Sequence, residues 1–196
     1  MIQRPRCCAR TNSCGQDPRG AKRQYARGVT LRADPWIVQP HEGLTMDLGF
    51  TQLRVLLSAD DTRGAFALTE QPLEAGALAG PLHSHANEDG FIYVLAGRIG
   101  AQIADEEFEA GPRSVILVPR GVDHTFWNPT SQSAAVLELF SPAGLEAWFE
   151  ELAALRAAEP PDIVAILESA RSHGTELHLD SLPDLLERHG LHLPGL

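Results

Sequence analysis

Between Leu53 and Leu139 short apolar runs recur at close intervals, at residues 54–57, 64–68, 90–95, 115–118 and 135–139, with turn-forming residues between them. Runs of this length and spacing predict the strands of a sandwich or barrel. Over 97–111 the chain turns back on itself, and 98–103 is expected to pair with 107–110 around Asp105-Glu106. Pro119 falls where a strand should start, a position at which its missing N–H does least harm. His83 and His85 alternate on a further strand, whose period of two puts both imidazoles on one face.

After residue 140 the period changes. Leu145, Trp148, Phe149, Leu152 and Leu155 recur at helical spacing, behind Ser141 as N-cap and Pro142 as first helical residue. This predicts an amphipathic helix whose aromatic face packs on the barrel. Pro160-Pro161 then separates it from two shorter helices. One turns Ile163, Ile166, Leu167 and Ala170 inward and stops at Gly174; the other opens at Ser181 and ends near Gly190. His173, His178, His189 and His192 share no spacing and read as surface or capping residues.

Composition sets bounds on this outline. A chain of 196 residues is long enough for one domain with a sizeable core and short for two. Residues 1–30 hold seven of the 16 basic residues and one acid, Asp17, so the remainder carries nine basic against 25 acidic groups, a net of −16. So acidic a body is not expected to bind nucleic acid or an anionic membrane. Residues 1–35 read as a basic, disordered arm, 42–140 as the barrel and 141–196 as a helical extension that packs on it. All three cysteines, Cys7, Cys8 and Cys14, fall in the arm, and their odd count argues against a disulfide framework. No apolar run is long enough for a membrane span, and the first residues lack a secretory leader, which makes the cytoplasm the expected location.

Two segments carry candidate chemistry: Gly80-Pro81-Leu82-His83-Ser84-His85, and Pro119-Arg120-Gly121-Val122-Asp123-His124. Three imidazoles converging from two strands suit a divalent first-row metal. There is no Gly-rich phosphate loop, no Gly-x-Ser-x-Gly elbow and no thiol nucleophile in the body of the chain, so hydrolysis through a covalent intermediate is not expected. Phe126 shares strand parity with His124 and is expected to line the pocket with Gly90 and Ile92, while Trp127 points to the opposite face.

The two segments resemble the motifs of the cupin superfamily. His83, His85 and the closing Gly97 follow its first motif; Pro119, Gly121, His124 and Asn128 supply its second without a gap. The run from His83 to Gly97, and Ser141-Pro142-Ala143-Gly144 before an aromatic-rich helix, are similar to the small quercetinase-like branch. The resemblance spans about residues 42–150. It implies a mainly β fold, a cupin-type double-stranded β-helix (jelly-roll barrel) with C-terminal helices, and a homodimer formed through sheet edges.

It also implies metal ligands at His83, His85 and His124, together with a glutamate where this chain has Gly90. Glu88 is the nearest acid. It shares the strand parity of position 90 but is displaced by about 6.6 Å along the strand, so it stands as an auxiliary acid or as a surface residue of the turn. A metal held by three neutral imidazoles keeps its full double charge. The expected cofactor is therefore a divalent ion, iron first, with nickel, manganese, copper or zinc as alternatives and none if the site is degenerate. The expected activity is an oxygenase-type oxidation of a small, anionic, chelating substrate resembling a flavonol, diketone or thiol. The alternative is a metal-free barrel that binds a small molecule or acts as a cyclase or isomerase.

Overall fold

The computed structural model describes residues 37–195. The basic arm and its cysteines lie outside the described residues. Eleven strands and four helices follow one another as β1 (Leu44–Asp47), β2 (Gln52–Leu57), α1 (Ala59–Thr62), β3 (Ala67–Leu73), β4 (Leu82–His85), β5 (Asp89–Ala96), β6 (Ile99–Ile103), β7 (Glu106–Ala110), β8 (Val115–Val118), β9 (His124–Trp127), β10 (Ala134–Ser141), α2 (Leu145–Arg156), α3 (Ile163–Ser172), β11 (Thr175–His178) and α4 (Leu182–His189). The strands form two antiparallel sheets, ordered β1-β2-β3-β10-β5-β8 and β11-β4-β9-β6-β7. This is the mainly β jelly roll with C-terminal helices that the sequence predicts. No described helix is long and apolar enough to cross a membrane.

Alternation builds the core. Ile92 and Val94 from β5, Ile116 and Val118 from β8, Val136 from β10, and Ile99, Ala101 and Phe126 from the facing sheet interdigitate as one buried cluster. A second cluster closes one end of the barrel, where Trp148, Phe149 and Leu152 of α2 and Ile166 of α3 meet Met46, Leu48, Leu53 and Phe140. The third lies outside the smaller sheet, where Trp127 and Leu78 are covered by Leu185 of α4. Trp127 thus faces away from the barrel interior, as its parity requires. Gly97 turns β5 into β6 at φ +74°, and a Cβ there would stand 2.7 Å from the Cβ of Ala134 and 2.9 Å from the carbonyl oxygen of Ser133. Only glycine fits both the turn and the approach.

Several local expectations are corrected. The run at 64–68 becomes a strand only from Ala67, because Arg63 and Gly64 adopt left-handed conformations after α1. Ile103 pairs with Glu106, so the hairpin turn is Ala104-Asp105 rather than Asp105-Glu106. Pro119 follows β8 instead of opening a strand, and its carbonyl accepts from the Val122 N–H in the turn that leads to His124.

Helix α2 starts at Leu145, not at Pro142. Ser141 still belongs to β10, paired with Asp89, and its hydroxyl donates to the Ala65 carbonyl. The helix entrance is organised by buried Glu146, whose carboxylate accepts from the N–H groups of Gly144 (2.9 Å) and Ala59 (2.6 Å). A carboxylate in the first turn meets both the unpaired N–H groups and the helix dipole. Between the two shorter helices lies β11, absent from the sequence expectation, which extends the smaller sheet alongside β4.

Candidate metal centre

Strands β4 and β9 bring the three sequence-predicted ligands together. His83 and His124 stand opposite one another in register, and His85 follows two residues along β4. The ring centroids are 4.2 Å apart for His83 and His124, 4.9 Å for His83 and His85, and 5.2 Å for His85 and His124. One ring nitrogen from each lies within 4.8 Å of the others, the one such group of potential ligands among the described residues.

The chemistry of the rings fits a metal. Nδ1 of His83 lies 2.8 Å from the Pro81 carbonyl and Nδ1 of His124 lies 2.9 Å from the Val122 carbonyl. Because a carbonyl only accepts, each Nδ1 carries the proton, which leaves Nε2 with its lone pair. Nδ1 of His85 lies 3.1 Å from the hydroxyl of fully buried Thr175, a residue of β11. Burial pushes the pKa of all three rings down, to about 2 for His85 and about 3 for His124, and each of these two is lowered further by neighbouring imidazole. The set is therefore neutral at pH 7, the state in which imidazole ligates metal.

Glu88 does not join the histidines. It is 5% exposed, which removes the expectation of a surface residue, and Oε2 has no hydrogen-bond partner among the described residues. A Cβ placed on Gly144 would lie 3.7 Å from its Oε1. Desolvation raises its pKa, with Arg120 opposing and Glu146 assisting. Gly90 is buried on the inner face of β5, between Phe140 of β10 and Val118 of β8, and a Cβ there would meet the Cβ of Val118 at 3.4 Å. The ring of that Phe140 packs edge-on against His85, with centroids 6.0 Å apart.

Beside the histidines lies a chamber of about 60 Å³, bordered by His83, His85, Phe126 and Phe140, and by two polar residues that the sequence did not single out, Gln71 of β3 and Glu138 of β10. Gln71 is 4% exposed and its amide nitrogen Nε2 has no partner among the described residues; Glu138 is 8% exposed, and desolvation alone raises its pKa to about 7. Of the residues expected to line the pocket, Phe126 does so, while Gly90 and Ile92 are not part of the chamber wall. Trp148, Leu152, Phe50, Pro81 and Leu177 border both the chamber and a second cavity of about 220 Å³, lined further by Ile163, Ile166 and Leu182. The aromatic face of α2 therefore both packs on the barrel and walls the site.

Residues 70–140 match the family model described as Cupin domain. Among solved structures it is similar to KdgF from Halomonas sp., at 19% identity and a TM-score of 0.51, covering 58% of this chain and 99% of that one. A second likeness is to a protein described as a predicted oxalate decarboxylase from Thermotoga maritima, at 17% identity and a TM-score of 0.51, covering 55% of this chain and 99% of that one. At these identities the likeness shows the fold. No curated protein matches the chain.

Proposed function

We propose that this protein is a cupin-fold metalloenzyme in which His83, His85 and His124 hold one divalent ion, iron first, to oxidise a small anionic chelating substrate with dioxygen. The observation that carries this reading is the convergence of three neutral imidazoles, with Nδ1 of His83 and His124 donating to carbonyls so that their Nε2 atoms are free to ligate, and Nδ1 of His85 held by the Thr175 hydroxyl. When bound, the ion supplies Lewis acidity and open coordination positions. The chain supplies the rest. The Pro81, Val122 and Thr175 oxygens fix ring orientation, and Phe126, Phe140 and Trp148 exclude water. The chamber volume of about 60 Å³, room for roughly two to five water-sized groups, favours small members of the proposed substrate class over a flavonol.

The test is metal content per chain by mass spectrometry on protein purified without a histidine tag. Near-stoichiometric iron, nickel or manganese supports the reading. A correctly folded protein that takes up no divalent ion, even when one is offered, sinks it in favour of a metal-free binding barrel.

Within the same reading, Gly90 is where the family's acidic ligand is missing. Gly90→Glu is expected to raise divalent-metal affinity by about ten- to a hundredfold, roughly 1.4–2.8 kcal/mol, since position 90 faces inward and has room for a Cβ. Competition against a chelating dye reads this directly; an unchanged or weaker affinity would show that position 90 does not reach the ion.

A further inference from the structure

The larger sheet turns a polar stripe into the barrel that the histidine site does not use. Thr69 of β3 is paired with Glu138 of β10, and Gln71 with Val136, so Gln71 and Glu138 are diagonal neighbours on one inner face. Thr69 is fully buried and its Oγ1 has no partner among the described residues; Gln71 is nearly so, and its Nε2 likewise has none there. Trp148, which also lines the chamber, adds a buried indole N–H without an acceptor among the described residues. Around them the barrel is apolar, and an unsatisfied polar group there costs stability with no structural return. Thr69 does not border the chamber, but Gln71, Trp148 and the desolvated Glu138 carboxyl all do, and orphaned donors beside such a carboxyl are what a hydrogen-bonding ligand would satisfy.

We propose that Gln71 and Glu138 form a recognition wall for a hydroxyl group, so that the ligand is a small hydroxylated carboxylate or hydroxy-carbonyl compound, chelating at the histidine end and hydrogen-bonding at the other. The chelating half of this proposal rests on the metal reading; the hydroxyl half does not. Gln71 Nε2 donates and the Glu138 carboxylate accepts, and a hydroxyl takes both bonds at once through a single atom. Thiols and flat aromatic rings leave the wall unsatisfied.

Glycerate and lactate isolate the effect. Both present a carboxylate and an α-hydroxyl for chelation, and they differ only in the terminal hydroxyl. NMR titration of zinc-loaded full-length protein is expected to give glycerate about tenfold tighter binding than lactate, because a site built around a hydroxyl rejects the analogue without it. In Gln71→Leu and in Glu138→Leu the ratio should fall to about one, while both variants keep the wild-type zinc content. Both should also melt at or above the wild-type temperature, since each replaces an unsatisfied polar group by an apolar one of similar size.

A ratio near one in the zinc-loaded wild type overturns the wall and leaves the metal reading standing. A wild-type ratio that survives in both variants overturns it as well, as does a lowered melting temperature with the ratio intact, which would mark a structural role. If the protein takes up no zinc, the metal reading fails instead, and the same ratio, measured on the metal-free chain, still decides for or against the wall.

Discussion

Replacing His124 with alanine is expected to weaken divalent-metal binding by about a hundred- to a thousandfold, leaving protein that purifies without metal. The estimate comes from dividing the roughly 10–16 kcal/mol of a four-ligand site among its ligands, which assigns about 2.5–4 kcal/mol to each. In a site of three neutral imidazoles no charged ligand remains to compensate. His124 is also the only ligand from β9, so its loss leaves two nitrogens from a single strand, His83 and His85, to hold the ion. The hydrogen bond from Nδ1 to Val122 disappears with it, but that carbonyl lies in a turn that water can reach. Folding should therefore survive the substitution. Stoichiometric metal in a well-folded His124→Ala protein would mean that the ion sits elsewhere.

Chelator-treated protein should lose several kcal/mol of stability between pH 6.5 and pH 3. The sign follows from the histidines. An unfolded histidine takes up a proton as pH falls through about 6.5, whereas folded His85 and His124 resist protonation until about 2 and about 3, and His83 is lowered in the same direction. Across this window the unfolded state binds more protons, so stability is fully present above 6.5 and is lost on acidification. Buried Glu138 opposes the trend. Its folded pKa of about 7 lies above the usual carboxylate value, so it stabilises at low pH and loses that contribution as pH rises from about 4.5 to 7; Glu88 acts in the same direction. Two carboxyls against three imidazoles leave a shallow slope near pH 6 and a steep one below pH 4.5, where both carboxyls are protonated in either state. Several kcal/mol is a large fraction of a domain's stability. Urea midpoints at pH 7, 5.5 and 4 test this, and equal midpoints at pH 7 and pH 4 would refute it.

The histidine trio was legible because alternation on a strand forces a face and the second segment supplies a spaced partner. Glu138 was not, although it lies inside a run correctly read as a strand. β10 is apolar on both faces, with Leu137 and Leu139 outward and Val136 and Phe140 inward, so periodicity alone could not tell which way the glutamate points. Gln71 was hidden for a related reason. The stretch Thr69-Glu70-Gln71 is polar and looks like a turn, yet it continues β3 because its partners in β10 supply the hydrogen bonds and the burial. At α2 the local cues were present but misassigned. Ser141 and Pro142 have the chemistry of a helix start, and tertiary pairing with Asp89 holds Ser141 in the sheet while Glu146 organises the entrance. Four residues of β11 are too few for any pattern to declare a strand.

Thr175 lies some 35 residues beyond the end of the stretch that matches the cupin family model, yet its hydroxyl is the partner of His85 Nδ1. An outer partner of this kind sets ligand orientation and basicity, and its removal typically changes metal affinity or activity by about ten- to a hundredfold. On the proposed metal reading, the reactivity of the centre would be retuned by exchanging the C-terminal segment while the three histidines of the barrel stay the same, and a fragment trimmed to the matching residues would keep those histidines but lose the group that aims one of them.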